Sequence, residues 1–208
     1  MINRFATLAL TMVSTVVLAY GNQATLTFVG GTYWSPVAGV DVGPYTGTLN
    51  GSSVQLFCDD LIDSINPGNT FTVNLTPLSS MDLSNTKFGN LPNASSLYDQ
   101  IAWLSLQFAN QPQSQWTNIH EAIWGYFDPN ALVIPGPMGT AYWQSQAAAN
   151  DHTVNLSDIF VVTQANVHQA GVTQYQEFLI QTPEPASFAL IGLGLLALGA
   201  AGKRRLAR

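Results

Sequence analysis

The sequence predicts an α+β fold: a single β-rich domain, built from hairpins as a sandwich or a barrel, that carries two or three helices. Three observations support this fold class. Short runs with alternating apolar residues are separated by turns rich in Gly, Pro and Asn. The middle of the chain changes to helical spacing. Between two apolar ends, about 160 residues remain, which is one ordinary domain with its own core.

The β pattern is clearest around Asn50-Gly51, a dipeptide that favours a tight hairpin turn between two short strands. In the second arm Val54, Leu56 and Cys58 fall on the same face, so we expect Cys58 to point into the core. The predicted strands are residues 24–29, 45–49, 53–58, 70–75, 159–163 and 177–181.

Helical spacing of apolar residues predicts the helices. The first is expected to start at the capping box Ser96-Leu97-Tyr98-Asp99 and to end at Asn110-Gln111-Pro112. The second runs from about residue 114 to residue 127, ends at Asp128-Pro129, and carries His120 on its apolar face. A third is expected over residues 140–149.

Both ends of the chain are apolar. Arg4 precedes an apolar run over residues 5–19, which is typical of a secretory signal peptide. We assign residues 1–21 to this peptide, with cleavage after Ala19 or Gly21. Near the other end Pro183-Glu184-Pro185 precedes residues 186–202, an apolar stretch just long enough to form a transmembrane helix. Basic residues that would hold this helix on its cytoplasmic side follow it: Lys203, Arg204, Arg205 and Arg208.

Residues 183–208 resemble the PEP-CTERM sorting signal of Gram-negative bacteria, because Pro-Glu-Pro, an apolar helix and a basic cluster occur in the same order. The resemblance implies that an exosortase, a membrane enzyme, recognises Pro183-Glu184-Pro185 and cuts near it. It also implies export through the secretion machinery and a transient stay in the inner membrane. Residues 22–182 would then reach the cell surface or the extracellular polysaccharide matrix. A plain single-span anchor is the alternative.

The charge of the expected mature domain excludes one class of partner. Of the 12 acidic and six basic residues, residues 22–182 hold 11 acids and a single base, Lys87. A protein that neutralises phosphates needs a stripe of Lys or Arg, so nucleic-acid binding is excluded. We expect an exported structural or adhesive protein rather than an enzyme, with no cofactor and with extracellular polysaccharide as a candidate partner.

Cys58 and His120 carry the main chemical hypothesis. Phe57-Cys58-Asp59-Asp60 and the helix segment around His120 resemble bacterial surface thioester domains, in which a Cys bonds to a Gln in an apolar-Gln-x-x-apolar-Trp helix. Cys58 stands at the cysteine position and Ile123-Trp124 at the end of the helix motif, but His120 occupies the glutamine position. An imidazole cannot form that acyl link. The resemblance therefore implies a related scaffold, or a thioester through another glutamine such as Gln115.

Two other interpretations of Cys58 remain open at this stage. His120 could lower the pKa of the thiol in a Cys-His hydrolase, with Asp59 or Glu121 orienting the imidazole. Alternatively, both side chains are packed in the core.

No metal site is assigned, but two groups of residues are candidates for binding. Asp59, Asp60 and Asp63, followed by Asn66 and Asn69, concentrate oxygen ligands and are candidates for a calcium site, although their spacing is not that of an EF-hand.

The other candidate site is aromatic. Tyr33 and Trp34 lie near turns, where their ring faces could stack on sugars, unless the rings close the core instead.

Overall fold

Buried and more exposed residues alternate along several strands of this protein. Six of the strands close into an antiparallel barrel. The computed structural model describes residues 23–80 and 82–182. Its strands are β1 (Gln23–Gly30), β2 (Tyr33–Ser35), β3 (Val40–Val42), β4 (Tyr45–Leu49), β5 (Ser52–Cys58), β6 (Thr70–Pro77), β7 (Ile159–Gln164) and β8 (Phe178–Gln181). Around the barrel the order is β1-β4-β5-β8-β7-β6, while β2 and β3 form a separate two-stranded hairpin.

The register of the strands defines the inside of the barrel. Phe178 lies opposite Cys58 on one side and Val162 on the other, and residues directly opposite each other in a sheet share a face. Leu26 and Leu49 are paired in the same way. All five side chains are buried. The outer faces of β1 and β6 carry Thr, Gln and Asn that are exposed or half-buried.

The first of three helices packs against the outer face of β5, beside which Val161 of β7 and Leu179 of β8 are buried although they point away from the barrel interior. Phe57 of β5 stacks on Phe108 of the first helix, with ring centroids 5.8 Å apart. The helices are α1 (Ala94–Asn110), α2 (Trp116–Trp124) and α3 (Thr140–Asn150). Short 3-10 helices lie at Leu78–Ser80, Gln113–Gln115, Asp151–Thr153 and Leu156–Asp158.

The predicted α+β, β-rich fold with three helices is confirmed, and the barrel is the form that it takes. The hairpin turn is present as well, because Asn50 and Gly51 both have positive φ, 49° and 83°, as a two-residue hairpin loop requires. The short strands β2 and β3 were not predicted from the sequence.

The helix boundaries differ in part from the prediction. The capping box at Ser96 is not used, because α1 already begins at Ala94, after Asn93 in a left-handed conformation. The predicted second helix is shortened to Trp116–Trp124, with a 3-10 turn before it.

The described residues, 23–80 and 82–182, form one compact unit. Within the described ranges, no helix combines the length and the apolar character needed to cross a membrane. The predicted signal peptide at residues 1–21, the transmembrane helix at 186–202 and the basic residues after it lie outside the described residues.

Candidate functional site

His120 is fixed by main-chain groups on both sides of its ring. The N–H of Gly43 donates to Nδ1 at 2.9 Å, so Nδ1 is the acceptor nitrogen. Nε2 must then carry the proton, and it donates to the carbonyl oxygen of Cys58 at 2.8 Å. Burial lowers the pKa of His120 to about 3, against the opposing effect of the Cys58 carbonyl. The imidazole is therefore neutral and joins α2 to the end of β5 and to the turn before β4.

The fold brings Cys58 and His120 together, but the contact runs through the main chain of Cys58 and not through its thiol. The thiol is fully buried and donates to the carbonyl oxygen of Asp60 at 3.1 Å. Burial raises the pKa of the thiol, and the nearby carboxyl groups of Asp60 and Asp59 raise it further. A thiol in this environment stays protonated, whereas the nucleophile is the thiolate.

The other residues proposed for chemistry at Cys58 point elsewhere. Glu121 accepts a hydrogen bond from the main chain of Leu132 at 2.7 Å, so it does not orient His120. Gln115 accepts from Asn118. The side-chain amide that shares an acceptor with the thiol is that of Gln176, which donates to the Asp60 carbonyl at 3.0 Å. These contacts support neither a Cys-His hydrolase nor a thioester through Gln115.

The candidate calcium ligands are held by a lysine. Lys87 Nζ lies 2.5 Å from a carboxylate oxygen of Asp60 and also pairs with Asp63. Burial lowers the pKa of Lys87, but the two carboxylates outweigh burial and leave the pKa raised. The ammonium thus occupies the space between the two acids. In residues 23–80 and 82–182, no group of three His, Cys, Asp or Glu side chains is arranged to hold a metal ion.

A row of buried polar side chains crosses the outer face of three strands beneath α1. The register continues from Phe57 and Cys58 so that Asp59 lies opposite Glu177, and Thr163 of β7 lies on the other side of Glu177. All three are at most 1% exposed. Glu177 accepts from Tyr98 at 2.5 Å, from the main-chain N–H of Lys87 at 2.7 Å and from Thr163.

Asp59 differs from Glu177 because no donor reaches either of its oxygens. Burial raises the pKa of Asp59, and so do the neighbouring charges of Glu177 and Asp60. Burial also raises the pKa of Glu177, although its three donors favour the ionised form. A single proton held on Asp59 satisfies both groups, because the protonated carboxyl can donate to Glu177.

This row was missed by the sequence analysis. Tyr98, Thr163 and Glu177 were assigned to helix or strand without any functional role. One signal was present: Glu177 heads a strand whose next three residues, Phe-Leu-Ile, are apolar, and an acid there calls for a buried partner. Its partners depend on strand register, which the sequence does not define.

An open cleft lies at one end of the barrel. It has a volume of about 660 Å³. Trp34 and Asp41 of the β2–β3 hairpin line it, together with Asp63, Ser64 and Asn66 of the loop after β5 and Gln176 before β8. Trp34 is 61% exposed. Tyr33 points to the opposite face of the hairpin and packs edge-on against Trp116, with centroids 6.3 Å apart. The two predicted sugar contacts are therefore separated, and only Trp34 faces the cleft.

The comparisons with known proteins concern the end of the chain. Residues 181–205 match the PEP-CTERM protein-sorting motif. No curated protein and no solved structure matches the chain.

The PEP-CTERM match covers Pro183, Glu184 and Pro185, the apolar stretch and the first three basic residues, while Arg208 lies beyond it. The motif implies an exported protein that is processed at a membrane by an exosortase. Apart from Gln181 and Thr182, the PEP-CTERM match does not reach the described residues, so it assigns no activity to the barrel.

Proposed function

We propose that residues 22–182 of this PEP-CTERM chain are displayed at the surface of a Gram-negative cell or in its polysaccharide matrix, and that they serve there as a structural or adhesive protein without catalysis. The observation that carries the proposal is the sorting motif at residues 181–205. Proteins that carry such a motif pass the secretion machinery and the inner membrane before release.

The properties of the barrel support this role. Most of the exposed side chains on β1, β5 and β6 are uncharged Thr, Ser and Gln, which can exchange hydrogen bonds with a hydrated polymer. The excess of acids over the one base Lys87 keeps the domain soluble and repels nucleic acid.

The neutral His120 and the buried thiol of Cys58 support a non-covalent mode of attachment. A covalent thioester adhesin remains the alternative proposal, because Gln176 and Cys58 share the Asp60 carbonyl as an acceptor.

The intact mass of the protein recovered from the surface fraction of producing cells tests both proposals. We expect a mass that lacks residues 1–21 and the segment that follows the cut near Pro183-Glu184-Pro185. A matched variant, Glu184→Ala, should keep the segment and stay in the membrane fraction. A native protein that retains the segment would contradict processing.

The same spectrum reports on Cys58. A mass without further loss supports non-covalent attachment. A mass lower by one ammonia, restored by a mild nucleophile, would instead favour the thioester.

A further inference from the structure

Trp34 and Asp41 form a pair at the cleft. They lie directly opposite each other in the β2–β3 hairpin, so the indole ring and the carboxylate are neighbours on one face. Both line the cleft, and both are exposed. Among the described residues, no side chain forms an ion pair or a hydrogen bond with the Asp41 carboxylate. The hairpin thus presents a flat apolar ring beside an unpaired negative charge.

The β2–β3 hairpin is anchored by contacts with β4 and α2. The hydroxyl of Tyr45 donates to the carbonyl oxygen of Asp41 at 2.5 Å, and Thr117 of α2 donates to Ser35 at 2.9 Å. Tyr33 packs on Trp116 on the opposite face. A rigid platform loses little conformational entropy when a ligand binds, which favours recognition by a single exposed ring.

The opposite wall of the cleft offers further polar groups. Ser64 and Asn66, in the loop after β5, line it and have no hydrogen bond to their side chains from the described part of the chain. Hydroxyls and amides of this kind are free to bind the hydroxyl groups of a sugar. The volume of the cleft falls within the range of about 300–1,000 Å³ that is usual for ligand sites.

The charge around the cleft decides which sugar fits. Lys87 is the one base of residues 22–182, and its ammonium is already paired with Asp60 and Asp63. A polymer of uronic acids would meet the unpaired Asp41 carboxylate without any free cation. A sugar with an unsubstituted amino group would instead place its ammonium at Asp41 while its ring covers Trp34.

We propose that the cleft beside Trp34 binds a polysaccharide that carries free amino sugars. This proposal rests on the proposed function, since it names the matrix component that the displayed domain would hold.

Calorimetric titration of the full chain in a neutral detergent tests the proposal. The probes are a glucosamine oligomer, the fully N-acetylated oligomer of the same length and an oligogalacturonate. We expect the glucosamine oligomer to bind most tightly and the oligogalacturonate not to bind. The affinity for the glucosamine oligomer should fall as salt is added, because salt screens the interaction between exposed charges.

Two variants separate the contributions of ring and charge. Trp34→Ala should weaken binding by about tenfold or more, as expected for an aromatic anchor. Asp41→Asn should weaken binding of the glucosamine oligomer by about threefold, the size of an exposed ion pair, and leave the N-acetylated oligomer unchanged. Matched controls outside the cleft are Tyr142→Ala, another exposed aromatic, and Asp82→Asn, another exposed acid. Neither should alter binding.

Equal or tighter binding of the N-acetylated oligomer, binding of the oligogalacturonate, or full binding by a folded Trp34→Ala variant would overturn the proposal. Absence of binding to all three oligomers would do so as well. These results leave the mass of the processed protein untouched, so failure of the cleft and failure of surface display are distinguished.

Discussion

Replacing Asp59 with asparagine should stabilise the protein at neutral pH. The carboxyl of Asp59 is fully buried, receives no hydrogen bond and lies opposite the equally buried Glu177. Folding at neutral pH therefore requires a proton that the unfolded chain has already released. An amide has the same shape, needs no proton, and can donate to Glu177, which keeps its three other donors. The replacement removes the requirement for that proton.

The sign of the pH dependence follows from the raised pKa of Asp59 in the folded state. A group of this kind gives its full stability at or below the pKa of the unfolded chain, about 3.9, and loses it as the pH rises towards the folded pKa. Each pH unit over which the folded state holds one extra proton costs about 1.4 kcal/mol. We expect Asp59→Asn to raise the free energy of unfolding at pH 7 by about 1–3 kcal/mol, which corresponds to about one to two pH units over which the folded state holds the extra proton.

Urea unfolding of the wild type and Asp59→Asn, measured between pH 4.5 and 7.5, checks this prediction. The difference in free energy should grow with pH, while effects of other titrating groups cancel because both proteins contain them. The control Asp82→Asn changes an exposed acid and should alter stability by less than about 0.5 kcal/mol. Parallel curves, or an Asp59→Asn variant less stable than the wild type at pH 7, would refute the shared proton.

Further outcomes follow from the same structure. His120→Ala should destabilise the fold by about 2–4 kcal/mol, because two buried hydrogen bonds and a packed ring are lost. In the wild type, the lowered pKa of His120 means that its contribution is lost as the pH falls from about 6.5 towards 3, which an acid titration of urea midpoints detects. Cys58 should resist iodoacetamide at neutral pH until the protein is unfolded, and labelling of the native state by mass spectrometry would contradict its burial. Lys87→Met should cost about 3–5 kcal/mol, because Asp60 is left buried and unpaired, and added calcium or chelator should not shift the melting temperature of the wild type.

Much of the fold could be predicted from local pattern. The strands 45–49 and 53–58 came from alternation and the Asn50-Gly51 turn, and the positive φ of both turn residues is the physical cause of that pattern. The hairpin of β2 and β3 could not be predicted, because its strands have three residues each and its order depends on anchors such as Trp116 and Thr117 that lie far along the chain.

The candidate sites were harder to predict, because distant partners decide what each group does. Cys58 and His120 were candidate partners, but local pattern could not show that the ring is held between the N–H of Gly43 and the main-chain carbonyl of Cys58, leaving neither ring nitrogen for the thiol. Asp60 and Asp63 have the composition of a calcium site, but in the structure both pair with Lys87, which lies in a separate loop. The opposition of Asp59 and Glu177 depends on the pairing of β5 with β8. In this pair Cys58 lies opposite Phe178, 120 residues later in the chain, and local sequence patterns do not define so distant a register.

Closure of the barrel limits aggregation when the protein is concentrated. Each of its six strands pairs with a neighbouring strand on both sides, although β5 pairs with β8 only through Phe57 and Cys58. The barrel therefore leaves few N–H and C=O groups open to a neighbouring copy. Open edges of that kind are templates on which proteins add strands to one another and form fibres. Closure limits such edges to the short β2–β3 hairpin and to the part of β5 that β8 does not cover, so contacts between crowded copies of the described domain depend mainly on side chains.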